Sequence, residues 1–184
     1  EDDYITAYTF DNQLTYNLEK GKSKLNVTGL QSAFKTSTEM NVVNATNLPF
    51  SSFWYNLQTA ANQSIGSSFS QRSLSSYMGR INYTFNDKYL FTFTGRSDGA
   101  SQLAEGKKWA FFPSGAFAWR LSDENLVKNL NVFSDLKLRV SFGQVGNSVV
   151  SPYQTSATLA GTNYSFGQNA GIGLAPGNLP NQEL

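Results

Sequence analysis

The sequence predicts an all-β protein of antiparallel up-and-down strands, forming part of a large transmembrane β-barrel with long extracellular loops. Three observations support this fold class. Apolar and polar residues alternate with a period of two in several segments, as in strands with two different faces. The clearest segment contains two runs of about nine residues each, near the roughly 9 to 11 that a tilted strand needs to cross a bilayer. Short turns and long polar loops alternate along the chain, as at the two rims of a barrel.

Residues 76–98 are expected to form a hairpin with its loop at 86–88. Odd-numbered positions are mostly aromatic or small, and even-numbered positions are mostly polar or basic. The predicted cross-strand pairs are Phe85 with Tyr89, Tyr83 with Phe91, Ile81 with Phe93, and Gly79 with Gly95. A shift of one residue would move Arg80 and Arg96 onto the aromatic face, so the pattern itself fixes the register.

Another hairpin is predicted upstream. Residues 14–18 and 25–34 alternate, and the polar residues 19–24 between them supply the turn. Residues 35–70 are rich in Ser, Thr, Asn and Gln, and we expect a long loop there. Within that loop, the stretch NLQTAANQ is expected to form a helical turn or two.

Downstream of the 76–98 hairpin, the pattern predicts a polar loop, two strands, a short helical turn and a long terminal loop. They are a polar loop at 99–108, strands at 114–121 and 136–143, a short helical turn at 122–131, and a loop at 144–184 with a ragged strand around 153–159. The chain is therefore expected to contain about six regular strands.

Composition excludes most enzyme classes. The 184 residues include no cysteine and no histidine, which removes disulfides, the usual zinc sites, thiol nucleophiles and Ser-His-Asp triads. Charged residues make up only 15% of the chain and balance to a net charge of +1, so no electrostatic footprint for nucleic acid is present. We predict no catalytic residue, no metal site and no cofactor.

Six strands also make the chain look incomplete as a barrel. The smallest outer-membrane barrels have about eight strands, and an open sheet in lipid would leave the backbone groups of its two edges unpaired. The residues are thus expected either to be part of a larger protein or to form a soluble two-sheet sandwich.

Consecutive motifs between residues 76 and 147 resemble those of a known family. They read SYMGRINYTFNDKYLFTFTGRSDGAS, WAFFPSGAFAWRLSDE and SDLKLRVSFGQVGN, and GNLPNQEL follows near the end. In this order and spacing they resemble the SusC/RagA family of TonB-linked, or TonB-dependent, outer-membrane receptors of Bacteroidetes. Two departures are Ala100 in place of a serine, and Leu179-Pro180-Asn181 where the family has Asn-Pro.

The resemblance implies that residues 1–184 are a partial barrel domain from a plugged barrel of about 22 strands. It further implies a protein of the cell outer membrane that imports oligosaccharides or peptides. The implied partners are a SusD-like surface lipoprotein, outer-membrane lipid, and the TonB complex acting through a plug that these residues do not include.

Two groups of candidate site residues follow. Those expected to contact substrate, in the lumen or on a loop, are Arg80, Arg96, Asp98, Arg120, Trp54 and Tyr55. Those expected at the membrane interface are Tyr83, Phe85, Tyr89, Trp109 and Trp119. The arginines could instead only pair with carboxylates, and Trp54 and Tyr55 could anchor their own loop. The adjacent acids Asp123 and Glu124 are expected to have surface or capping roles.

A second hypothesis is a soluble β-sandwich that binds carbohydrate, and a β-barrel enzyme is a distant third. The sandwich would bury the odd-numbered aromatic residues in its core and leave the arginines in outside water. The barrel would instead turn the arginines inward. The environment of the aromatic face therefore separates the two main hypotheses.

Overall fold

The computed structural model describes residues 1–50, 55–129, 133–167, 169–181 and 183. Within them the strands are β1 (Asp2–Lys20), β2 (Ser23–Thr46), β3 (Asn62–Phe85), β4 (Tyr89–Ala100), β5 (Trp109–Arg120), β6 (Lys137–Gly143), β7 (Thr158–Phe166) and β8 (Asn169–Asn178). Helical structure is limited there to the four-residue helix α1 (Asn125–Lys128) and 3-10 turns at Leu57–Thr59 and Leu121–Asp123. The all-β prediction is confirmed.

The first six strands form one antiparallel sheet in chain order, β1-β2-β3-β4-β5-β6. Each strand pairs with its neighbours in sequence, which is the up-and-down arrangement that the pattern predicts. In the described part of the chain, strands β7 and β8 pair only with each other, as a separate two-stranded sheet. We call the end of the large sheet with the β1–β2 and β3–β4 turns the turn rim, and the opposite end the loop rim.

The predicted register of the β3–β4 hairpin is confirmed in full. All four predicted pairs are formed, and the loop is residues 86–88. Asn86 and Asp87 adopt φ values of 52° and 54°, a left-handed conformation that these two residue types tolerate better than most. The amide of Lys88 closes the turn by donating to the carbonyl of Phe85 at 3.1 Å.

The prediction of a loop over residues 35–70 is wrong at both ends. Strand β2 continues to Thr46 and β3 begins at Asn62, so the connection is only residues 47–61. The C-terminal half of β2 carries Ser, Thr, Asn and Gln on both faces, so no apolar alternation indicates a strand there. The backbone of β2 nevertheless pairs with β3 without interruption from Ser23 to Thr46. The helical turn predicted in NLQTAANQ corresponds to the 3-10 turn Leu57–Thr59.

Strand β5 begins five residues earlier than predicted, and Pro113 lies inside it. The carbonyl of Pro113 accepts a hydrogen bond from the amide of Gln144, so its backbone groups point towards the β6 side. The ladder between β5 and β6 ends one residue away, at the pair of Ser114 with Gly143. A residue without an N–H is therefore tolerated, because no ladder bond is required from it there.

The remaining predictions hold in part. The strand predicted at 136–143 corresponds to β6, and the predicted helical turn corresponds to the 3-10 turn and α1, although residues 130–131 lie outside the described part of the chain. The long terminal loop is wrong, since β7 and β8 occupy much of residues 158–178. The ragged strand around 153–159 is also misplaced, because Tyr153 and its neighbours form a turn.

Candidate functional site

The two faces of the large sheet differ sharply in chemistry. One, which we call the aromatic face, carries the odd-numbered residues of β3 to β5, and the other, the polar face, carries the even-numbered ones. Near the turn rim, ring stacking continues across strands on the aromatic face. Two rows of rings are formed. Their centroid distances are Tyr83–Phe91 (6.4 Å, stacked) and Phe91–Phe117 (5.0 Å, tilted), then Phe85–Tyr89 (6.5 Å, stacked) and Tyr89–Trp119 (6.0 Å, stacked).

A second aromatic contact marks the other end of this face. Tyr77 and Trp109 stack at 5.9 Å. Trp109 pairs with Gly99, and Gly99 pairs with Ser75 of β3. Trp109 therefore lies at the level of Ser75, which is ten residues from Phe85 along β3. At about 3.4 Å per residue this is about 34 Å along the strand, or about 25 Å perpendicular to a membrane for a tilt of about 45°. That height equals the apolar band of outer-membrane barrels, about 25 Å.

The aromatic face has no covering layer among the described residues. Ile81, Phe93 and Phe142 are 45%, 58% and 69% exposed, although they lie in paired strands. The second sheet leaves its own apolar residues Ile172 and Leu174 largely exposed and pairs only within itself. The sheet therefore presents a broad apolar surface that requires an apolar environment.

The polar face carries a chain of side-chain hydrogen bonds across four strands. Thr92 Oγ1 donates to Asn82 Oδ1 at 2.9 Å, and Asn82 Nδ2 donates to Asn26 Oδ1 at 3.1 Å. Asn26 Nδ2 continues to Asn17 Oδ1 at 2.6 Å. These residues occupy one level of the sheet, which shows that polar groups on this face satisfy one another between strands.

Arg96 and Asp98 are brought together at the loop-rim end of the polar face. Arg96 Nε contacts both carboxylate oxygens of Asp98, at 2.7 and 2.9 Å, and Arg96 Nη2 donates to Ser76 Oγ at 3.0 Å. Ser76 is almost fully buried, with 2% exposure. The group joins β3 and β4 through charge-assisted hydrogen bonds.

The other predicted substrate residues do not join this group. Arg80 lies at mid-sheet and donates from Nε to Thr94 Oγ1 at 3.2 Å, and Arg120 lies at the turn-rim end of β5. Tyr55 belongs to the 47–61 connection and is 70% exposed. Trp54 lies outside the described residues.

At the turn rim, Glu124 gathers three donors from two strands and a turn. Its carboxylate accepts hydrogen bonds from Lys88 Nζ (3.0 Å), Tyr89 Oη (3.2 Å) and Trp119 Nε1 (3.2 Å). The Lys88 bond, with that of Trp119, holds the pKa of Glu124 below its ordinary value. A surface or capping role is expected for Glu124 from sequence. Glu124 occupies the N-cap of α1 but makes no side-chain capping bond, so the capping alternative is not formed. The residues that donate to Glu124 lie up to 36 residues away in the chain. A local sequence pattern therefore cannot predict that Glu124 is their shared acceptor.

A second set of contacts connects neighbouring turns of the same rim. Asp87 forms an ion pair with Lys24 at 2.8 Å, and this hydrogen-bonded lysine lowers the pKa of Asp87. The amide of Asn86 donates to the carbonyl of Lys22 at 2.7 Å. The β1–β2 and β3–β4 turns are thus held side by side.

At the loop rim, two connections fold over the polar face. The Phe112 ring lies against Gly146 more closely than any side chain at that position would permit. Gln102 Nε2 donates to the carbonyl of Ser148 at 3.0 Å, joining the β4–β5 loop to the segment after β6. The sequence pattern does not predict these contacts, because only the folded chain brings the residues together.

Neither a metal centre nor a helical membrane span is found in the described part of the chain. No group of three or more Asp, Glu, His or Cys residues there could hold an ion. Its helices are too short and too polar to cross a membrane.

The chain is similar in sequence to several known proteins. No protein-family model matches the chain. The chain is 36% identical over 176 residues to TonB-dependent receptor P3 of Formosa agariphila, which covers 95% of this chain and 18% of that protein. It is 47% identical over 76 residues to TonB-dependent receptor SusC of Bacteroides thetaiotaomicron, covering 41% of this chain and 8% of SusC. The chain thus spans less than a fifth of the length of these relatives.

Solved structures show the same fold. The RagAB peptide transporter superposes with a TM-score of 0.81 over 99% of this chain and 20% of the matched chain, at 20% identity. The RagAB peptide importer in its open-open state gives a TM-score of 0.76 at 21% identity. Together with the bare aromatic face, these similarities do not favour the soluble sandwich.

Proposed function

Because the chain belongs to the SusC-like TonB-dependent receptors, we propose that its six-stranded sheet is a segment of the wall of a transmembrane barrel in the cell outer membrane. Residues 1–184 are then a partial barrel domain, and further strands of the receptor pair with the outer edges of β1 and β6. Pairing of both edges would satisfy backbone groups that lipid cannot.

One observation carries this proposal, namely the bare apolar face bounded by aromatic residues at both ends. In a membrane this face contacts lipid tails, with Tyr83, Phe85, Tyr89 and Trp119 at one interface and Trp109 at the other. Rings with a polar edge are favoured at the level of the headgroups, and Glu124 satisfies the polar groups of Tyr89 and Trp119 there. The turn rim faces the periplasm and the loop rim faces outward.

The complete receptor imports oligosaccharides or peptides through the lumen lined by the polar face. TonB supplies energy through a plug contributed by residues outside 1–184, and a SusD-like lipoprotein covers the loop rim. Arg80, Arg96, Asp98 and Arg120 line the lumen wall, and Tyr55 lies on the external loop side. The substrate contact predicted from sequence for Trp54 stays a prediction. The relatives are named as receptors and transporters, in keeping with transport without catalysis.

Growth and uptake test this function. Deletion of the gene should abolish growth on one class of polysaccharide or on a protein digest, and the intact gene should restore it. The receptor should fractionate with outer membranes. Unchanged growth on every such source, or recovery of the receptor in the soluble fraction, would contradict the proposal.

A further inference from the structure

A hollow of about 230 Å³ lies on the polar face beside the loop rim. It opens between the sheet and the two connections that fold over it. The sheet contributes Leu74, Asp98, Ala100, Ala110 and Phe112. Leu103 from the β4–β5 loop and residues 146–148 from the segment after β6 complete the lining.

Contacts within the protein hold this hollow in shape. The segment after β6 is fixed at its start by the bond from the Gln144 amide to the Pro113 carbonyl, at 3.1 Å, and further along by the bond from Gln102 to Ser148. The loop is fixed to β3 by the bond from the Ser101 amide to the Ser73 carbonyl, at 3.0 Å. A preformed hollow of this kind needs little rearrangement to accept a ligand.

The lining favours an apolar guest. Leu, Ala and Phe side chains form most of its walls. Two of the acceptors contributed by its described residues are already engaged, since Asn147 Oδ1 accepts from the Val149 amide at 2.9 Å and the backbone carbonyl of Ser148 accepts from Gln102. A sugar ring would bury several hydroxyls with few partners, which costs free energy, whereas an apolar cavity of about 150 Å³ already accommodates benzene.

Asp98 supplies a charged group to the lining. Its side chain is 22% exposed, and Arg96 contacts it through a single nitrogen, Nε. A carboxylate offers about four acceptor positions, so Asp98 retains capacity for an N–H donor from a ligand. An apolar group beside an N–H donor is the chemistry of an amino-acid residue in a peptide.

We propose that this hollow is a subsite for a bulky apolar side chain of a peptide substrate. The inference rests on the import function proposed above and specifies its substrate class. Ala110 is the most useful position for a test, because it lines the hollow and is exposed, so a larger side chain there fills the space without disturbing a packed core.

The test uses the full-length receptor in outer membranes, with Ala110→Leu and, from the loop side, Leu103→Trp. Ala116→Leu is the matched control, because Ala116 lies on the same strand and face but outside the hollow. Assembly of each variant is checked by its heat-modifiable migration on gels. Cells are then given a tryptic digest of casein together with mixed oligosaccharides, and depletion of each compound is followed by mass spectrometry.

Filling the hollow should slow uptake of peptides rich in Leu, Phe or Trp by about tenfold, while small polar peptides enter as before. The control should match the wild type. If the depletion profile of Ala110→Leu or of Leu103→Trp is identical to that of the control variant, the proposed subsite is overturned. Depletion of oligosaccharides alone by the wild type would also overturn it, yet leave import intact, whereas uptake of neither class would contradict import itself.

Discussion

Glu124 shows how a single side chain can organise one rim of the sheet. Its three donors come from the β3–β4 turn, from β4 and from β5, so it connects an irregular segment to the stacked aromatic residues. The alternation in the sequence predicts the positions of Tyr89 and Trp119 well, because strand periodicity is local. The shared acceptor could not be predicted, because it depends on how the β5–β6 connection folds back.

The lowered pKa of Glu124 predicts a pH-dependent effect of Glu124→Gln. A carboxyl whose pKa is lowered in the folded state stabilises that state when ionised, and this contribution is lost as the pH falls through the lowered value. We expect the variant receptor in detergent to unfold at a lower temperature than the wild type at neutral pH, with the difference disappearing in acid.

Asp123→Asn is the control for that experiment, because Asp123 faces Lys128 at 3.8 Å with both side chains well exposed. It should have little effect at any pH. Equal unfolding temperatures for Glu124→Gln and the wild type at neutral pH would argue against the role given to Glu124.

The contact of Gly146 with Phe112 predicts a steric effect. A Cβ in Gly146→Ala would overlap the Phe112 ring, so we expect a loss of about 1 to 3 kcal/mol in the free energy of unfolding. The smaller ring substitute Phe112→Leu should recover part of that loss in the double variant. Gly66→Ala, where a Cβ meets nothing within 4 Å, should be close to neutral in the same denaturant titration. Equal effects at both glycines would refute the close packing.

At the scale of elements, strands were predictable where one face is apolar. The register of β3 with β4 followed from the aromatic alternation, since a slip would bury arginines. The C-terminal half of β2 and the N-terminal half of β3 lack that signal, because both of their faces carry Ser, Thr, Asn and Gln. These two halves pair with each other. Their strand structure depends on backbone pairing, which composition does not reveal.

The chain of amides across the polar face can be tested at Asn82, which makes two of its bonds. Asn82→Ala should destabilise the receptor by about 1 kcal/mol for each bond lost. Asn12→Ala is the control, because Asn12 makes one exposed bond, to Gln31 at 3.2 Å. Urea titrations that give the same midpoint for both variants would show that the chain of amides does not stabilise the sheet.

For the whole molecule, the sheet leaves two kinds of surface without a partner in the described part of the chain: the aromatic face, and the outer edges of β1 and β6. The alternation in the sequence predicts an apolar face, and the small number of predicted strands leads to the expectation that residues 1–184 are part of a larger barrel, which stays a prediction. The hollow beside Phe112 could not be predicted, because it is formed by three segments that are separate in the chain.

These surfaces predict the behaviour of residues 1–184 expressed alone. Without detergent the chain should aggregate, and light scattering should detect no stable monomer, because unpaired strand edges and apolar patches associate. Detergent should raise the soluble fraction. A monodisperse monomer that melts cooperatively in plain buffer would be incompatible with a barrel wall.

The claim that the sheet is a barrel wall whose aromatic face contacts lipid is tested most directly by thiol labelling of the full-length receptor in outer membranes. Residues 1–184 contain no cysteine. Any cysteine elsewhere in the receptor is first replaced by serine, so that each single substitution reports one position. Thr84→Cys and Thr94→Cys lie on the polar face, and Ile81→Cys and Phe93→Cys lie opposite each other on the aromatic face. A small charged methanethiosulfonate should label the first pair and spare the second, because a thiol in lipid meets neither water nor the reagent. Labelling of the second pair, with protection of the first, would contradict a sheet whose aromatic face contacts lipid.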